Sequence, residues 1–487
     1  MRDRSSHRSA GRFVCSAAAV SWCVAFVIID TVGCVSETPG VIDDPPSNDG
    51  DDGGSGGVGG LNDPLSMPAS PTLSVESFNE ASKCAGCHPN HYAQWKTSMH
   101  AYATIDPIWR TLVAVRQADF EGQRDQFCTQ CHTAIGTRGG EVFPMFSFDD
   151  FSPISLEGVT CEACHKVAGI ERVYNSGHVL DETGPIRGPI EDPVPNSFHE
   201  SQFSPLHDTS EFCGACHDVI EQHGLLLERP FEEWAASPAA EGGRNCQSCH
   251  MPTYRGKAAD LPDVPERDNI HIHRFVGVDL PMTDDFFADD ATREEIRGEI
   301  VDLLRSAGRI ELEATETIEA GGQIDLFVTL RNLIDAHNLP TGSTFNRQLW
   351  IAVTATDGEG KVLYQTGDLD DNGDLRDYWS ELDQFGDSDL LSFTSGFLDE
   401  RGNPTVFPWL AAEHVSNSLS PLFVRTNTLF IPTEEATVGP ITIEARLRFR
   451  TFPPFLLRAL GIGELVEKLE IYDIDEATLT VEVAPAA

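Results

Sequence analysis

The chain has 487 residues, and its 34 Lys and Arg against 77 Asp and Glu leave a formal net charge of −43. A surface this acidic is repelled by nucleic acid and by anionic lipid headgroups, which excludes both as partners and favours solubility. Of the 13 Cys, Cys15, Cys23 and Cys34 lie near the N-terminus and ten fall in a repeated motif, so none is left over for a disulfide framework in the body.

Residues 1–33 read as a signal peptide. Arg2, Arg4, Arg8 and Arg12 form a basic start, an apolar run follows from Phe13 to Ile29, and Asp30 closes it before it is long enough to span a bilayer. Thr31-Val32-Gly33-Cys34 then resembles a bacterial lipoprotein signal, in which cleavage exposes Cys34 for lipidation. The expectation is an exported periplasmic or cell-surface lipoprotein of a bacterial envelope, held to a membrane through its N-terminal lipid anchor. Residues 34–80 continue as a tether: Ser36 to Ser82 contains no Lys or Arg, and Asp43 to Gly60 is almost entirely Asp, Gly, Pro, Ser and Asn. Such composition buries too little apolar surface to offset chain ordering.

Residues 81–285 carry Cys-x-x-Cys-His five times: Cys84/Cys87/His88, Cys128/Cys131/His132, Cys161/Cys164/His165, Cys213/Cys216/His217 and Cys246/Cys249/His250. This is the signature of c-type haem attachment. Two thiols on one turn add to the two vinyl groups of a haem, and the next side chain offers imidazole to the iron. Zinc would take two such pairs per metal, leaving one pair unmatched, and has no need of His directly after the second Cys. The expectation is five covalently bound c-type haems that supply much of the core themselves, with short helices joined by loops such as 184–189 and 192–195. A weak internal echo sets Trp95-Lys-Thr-Ser98-Met-His100 beside Trp234-Ala-Ala-Ser237-Pro-Ala239, with Ala239 in the place of His100.

Past the last motif the texture changes. Residues 286–308 read as a connecting helix, with a capping box from Thr292 to Glu295, apolar Ile296, Ile300, Val301, Leu303 and Leu304 at helical spacing, and Gly308 at its end. Residues 309–487 then alternate with period two over 309–314, 323–330, 348–356, 361–365, 441–450 and 477–483, and 357–360 is a hairpin turn. The fold class expected is α+β multidomain, a haem-packed, mostly helical and coil domain followed by an antiparallel β-sandwich-like domain. The stretch 370–432 reads as loops and edge elements.

Several passages carry a family resemblance: CAGCHPNHYAQWKTSMHAYA from Cys84, EGVTCEACHKV from Glu157, SEFCGACHDV from Ser210, FEEWAASPAAEGGRNCQSCHMP from Phe231 and HIHRFVG from His271. They resemble multihaem cytochromes c related to the tetrahaem electron acceptor of hydroxylamine oxidoreductase. AHNLPTGSTFNRQLWIAV from Ala336 and RFRTFPPF from Arg448 look like the β-rich domain that accompanies such haem domains. The resemblance implies His100 as a distal iron ligand, and His199, His273, His178 and His337 complete the set; His91, His223 and His414 read as surface histidines. Full bis-His ligation makes an electron carrier that serves redox protein partners in the envelope, whereas one open iron makes a reductase or oxidase of a small nitrogen or sulfur compound. Pentahaem nitrite reductases replace one proximal His by Lys. All five motifs here keep His, and Lys166 follows His165 without replacing it, so electron transfer is the preferred reading.

Overall fold

The computed structural model describes residues 73–485 except 124, 222 and 223. The expected signal peptide, Cys34 and most of the tether lie outside the described residues, as does His223. The last eight residues assigned to the tether are folded, however. Leu73 and Phe78 are buried with Ile135, Ile154, Val167 and Leu180, and the Leu73 amide donates to the Arg138 carbonyl at 2.9 Å. Their apolar side chains end the tether earlier than its composition suggested.

From residue 81 to 285 the chain forms mostly short elements, the longest being helix Pro107–Asp119. Each motif begins or lies on a helical turn, at Ala81–Cys84, Gln126–His132, Cys161–His165, Ser210–His217 and Gln247–His250. Cys at i and i+3 and His at i+4 share one helical face, so the spacing aims both thiols and the imidazole the same way. Apolar packing here is broken into small clusters, such as Trp109, Val113, Val142, Phe146 and Phe151.

The C-terminal half has one continuous core. A six-stranded sheet runs in the order Thr317–Glu319, Tyr472–Ala484, Ile441–Arg450, Gln348–Thr356, Val362–Thr366, with Leu391–Ser392 also on Gln348–Thr356. A three-stranded sheet runs in the order Val424–Pro432, Gln323–Asn332, Gly308–Glu313. Alternate residues of both point into the same cluster, Ile324, Leu326 and Val328 from one and Ile351, Val353, Ile443 and Leu447 from the other. Helix Asp290–Ala307 buries Ile296, Ile300 and Leu304 in that cluster too, so it is a packed part of this half more than a connector. Its N-cap is Asp289, whose carboxylate accepts from the Thr292 amide at 2.8 Å, and not Thr292 as the capping box implied. An extended Asp three residues upstream captures that amide first.

The predicted strands differ from those observed mainly at their ends, and 477–483 proves to be the end of a longer strand, Tyr472–Ala484. Two corrections apply. Thr317–Glu319 pairs parallel to Tyr472–Ala484, so the larger sheet is mixed and not purely antiparallel. Within 370–432 lies Val424–Pro432, a full-length edge strand. Its outward residues include Val424 and Phe430, the latter 56% exposed, and apolar side chains on both faces erase the period-two signal.

The halves share a wall. Ile108 packs with Met282 and Leu457, and Leu227 with Phe397 and Ala411. Trp409 Nε1 donates to Asp119 Oδ2 at 2.7 Å, and Arg347 forms a two-pronged ion pair with Asp279 at 2.6 and 2.7 Å.

Candidate haem sites

One cavity of about 1890 Å³ is lined by all ten motif cysteines and all five motif histidines. The cysteines are free thiols, and among the described residues no group of three or more His, Cys, Asp or Glu converges as a metal cage. Ten thiols and five imidazoles gathered round one large cavity suit covalently held haems, for which zinc cages would need four converging ligands each. The thiols of different motifs touch: Cys84 meets Cys161, Cys131 meets Cys216, and Cys213 meets Cys246. The first motif therefore adjoins the third, the second adjoins the fourth, and the fourth adjoins the fifth.

Four of the five motif imidazoles are held in an orientation that suits metal ligation. Nδ1 bonds a backbone carbonyl in each: His88 to Ala258 (2.7 Å), His132 to Ala103 (3.3 Å), His165 to Arg187 (2.6 Å) and His250 to Val276 (2.8 Å). A carbonyl on Nδ1 holds the proton there and leaves Nε2 bare for a metal, the arrangement that ligating histidines adopt almost everywhere. Burial lowers the His132 pKa to about 4 and those of His165 and His250 in the same direction, so all three are neutral and ligation-competent near pH 7.

Two imidazoles on opposite sides of one iron, each bonded at about 2 Å, have ring centroids about 6 to 6.5 Å apart. Four motif histidines face a second imidazole at that separation. His88 faces His199 at 6.3 Å and 26°, His165 faces His273 at 6.3 Å and 23°, His250 faces His337 at 6.4 Å and 22°, and His217 faces His100 at 6.1 Å and 47°. His273 and His337 anchor Nδ1 on the carbonyls of His271 and Asn338, both at 2.9 Å. His100 is half-buried, its pKa is lowered to about 4 by desolvation, and its buried Nδ1 has no hydrogen-bond partner.

The remaining predicted ligand, His178, is placed otherwise. Its Nε2 is 2.7 Å from the Phe212 carbonyl and its Nδ1 3.6 Å from Cys216 Sγ, so both ring nitrogens are engaged with the protein. Nothing in the local sequence separates it from His199 or His273, because the choice depends on which carbonyl lies opposite. His207 also comes within 5.8 Å of His165, yet its nitrogens bond Ser204 Oγ and the Cys164 carbonyl. His91, read as a surface residue, lines the cavity edge-on to His273 at 4.8 Å, and burial lowers its pKa to about 4. Its spacing of three from His88 on the same helical turn was the available clue. His414 is half-buried with Nδ1 on the Leu226 carbonyl and Nε2 without a partner.

His132 alone among the motif histidines faces no second imidazole at this separation among the described residues. Trp109 lies flat against its ring at 4.5 Å and 8°. A ring parallel to the imidazole sits beside it and offers no nitrogen opposite His132 Nε2. No sequence pattern announced this contact, since Trp109 lies 23 residues upstream on helix Pro107–Asp119.

Residues 83–166, which hold the first three motifs, match the family model described as cytochrome c554 and c-prime. Among solved structures, the chain is similar to a penta-heme cytochrome c552 from Thermochromatium tepidum, with TM-score 0.57 and 21% identity over 84% of this chain and 99% of that one. At that identity the likeness shows a shared fold. A sporulation control protein from Bacillus subtilis aligns with TM-score 0.15 and 7% identity over 37% of this chain and 50% of that one, too little to carry an argument. No curated protein matches the chain.

Proposed function

We propose that this chain is an envelope-anchored pentahaem c-type cytochrome that relays single electrons between redox protein partners. One observation carries the reading: four of the five motif imidazoles face a second imidazole at 6.1 to 6.4 Å, a gap suited to an iron with both axial positions filled. Haem, when bound, supplies the one-electron chemistry. The Cys pairs hold it, the carbonyls on Nδ1 fix each proximal imidazole, and His100, His199, His273 and His337 close the opposite faces to substrate. Contacts between the motifs' thiols join the first site to the third and the fourth to both the second and the fifth, and the single cavity lined by all ten cysteines brings the two groups together. In the same reading, lipidated Cys34 holds the array at a membrane outside the cytoplasm, and the two sheets of the C-terminal half form a sandwich.

His132 favours a second reading at one site only. With no opposing imidazole among the described residues, the second motif is where a small nitrogen or sulfur compound would meet iron, and there the chain would act as a reductase or oxidase. The test is the holoprotein made with the haem-attachment machinery. Its intact mass should rise by five haem masses, and its ferric spectrum should show four low-spin haems and one high-spin haem. Nitrite, hydroxylamine and sulfite should give no sustained turnover while a partner cytochrome oxidises the reduced protein quickly. Sustained turnover of any of the three would make the second reading the correct one, and fewer than five haems would undo both.

A further inference from the structure

The ligand facing His250 comes from the other half of the chain. Its loop, residues 335–343, is pinned to the segment between the fourth and fifth motifs. The Ala239 amide donates to the Asp335 carbonyl at 3.1 Å, Arg244 pairs with Asp335, and Ser343 donates to Glu228. At the centre is Glu233, half-buried on helix Pro230–Ala235. Glu233 Oε2 accepts from the Asn338 amide at 3.1 Å and from Thr341 Oγ1 at 2.5 Å, and Oε1 accepts from Asn338 Nδ2 at 2.7 Å. Asn338 is also the residue whose carbonyl fixes His337 Nδ1.

The internal echo explains why this loop is needed. Trp95 and Trp234 each donate Nε1 to a carbonyl, of Val159 and Arg244, both at 2.8 Å. Ser98 and Ser237 each cap the short helix that follows. The two copies therefore fold alike. In the first, His100 faces His217; in the second the equivalent residue is Ala239, which has no imidazole and gives its amide to the incoming loop. His337 fills the missing role from outside the motif half.

We propose that Glu233 is a positioning residue that sets His337 as the distal ligand of the fifth motif's haem, so that ligation there reports the docking of the C-terminal half. This rests on the bis-His reading above. Glu233 itself touches neither His337 nor the iron position; it orients Asn338, whose carbonyl orients the imidazole.

Three variants of the full-length holoprotein test this by low-temperature spin state and by titration with free imidazole. H337A should turn one low-spin haem high-spin. E233A should weaken the His337 bond about 10-fold to 100-fold, as loss of outer-shell support does elsewhere. That loss should appear as a partial high-spin signal from the same haem and as easier capture of added imidazole. E233Q should restore the wild-type spectrum, because its oxygen accepts from the Asn338 amide and Thr341 while the Asn338 side chain turns to accept from its NH₂. If E233A does not mature, T341V, which removes one of the three bonds, should show the same change on a smaller scale. A high-spin haem in H337A with wild-type behaviour in E233A overturns the role of Glu233 alone. E233Q as impaired as E233A overturns the hydrogen-bond account, and an unaltered spectrum in H337A overturns the ligation on which the proposal stands.

Discussion

Arg347→Met probes how the C-terminal half is held against the motif half. Arg347 gives both ends of its guanidinium to Asp279 at 2.6 and 2.7 Å and a further bond to the Thr451 carbonyl at 3.0 Å, and it lies over the Phe452 ring at 5.3 Å. The two side chains keep only 13% and 24% of their exposure. Met retains most of the packing against Phe452 but strands the Asp279 carboxylate beside Asp106, with a carbonyl left unpaired. Removing one partner of a buried pair costs about 3 to 5 kcal/mol, and the residual exposure of Asp279 places this case near 3 kcal/mol. Guanidinium unfolding of the holoprotein, followed by far-UV circular dichroism, reads that loss as a shift in midpoint at constant slope. Replacing both partners, R347M with D279L, should recover most of the loss, because no charge is then left stranded. Without denaturant, where the halves stay docked, haem spectra should be unchanged in both, since neither residue orients a ligand. A single-variant cost under about 1 kcal/mol, or a double variant no better than R347M, would refute the reasoning.

Two further outcomes follow from the same physics. Burial lifts the Asp106 carboxyl from 3.8 to about 6, so the stability tied to its protonated form is whole below pH 4 and lost as pH rises through 6; D106N, whose amide oxygen still accepts from the Ile108 amide, should raise the unfolding free energy at pH 8 by on the order of 2 kcal/mol and leave it unchanged at pH 4. If Cys34 is lipidated, C34A should block processing or release the protein into the soluble fraction, and a variant that is processed normally and stays membrane-bound would dismiss the anchor.

What could be read from the sequence was what depends on local spacing. Cys at i and i+3 with His at i+4 defines a helical face whatever surrounds it, and all five motifs line one cavity. The strands at 348–356 and 441–450 were equally plain, because each has one face in the core and alternates accordingly. Val424–Pro432 was not, since apolar side chains on its outer face hid the alternation. Tertiary structure alone places second imidazoles opposite the motif histidines. His178, His199 and His273 look alike in sequence; only the Phe212 carbonyl at 2.7 Å from His178 Nε2, and the Glu200 and His271 carbonyls at Nδ1 of the other two, tell them apart. The same holds for His337, which meets His250 from 87 residues away because the loop carrying it docks on Glu233, and for His132, which faces no second imidazole among the described residues. A ligand pair across an iron joins groups remote in the chain, and its geometry is a property of how the elements pack, which no local spacing encodes.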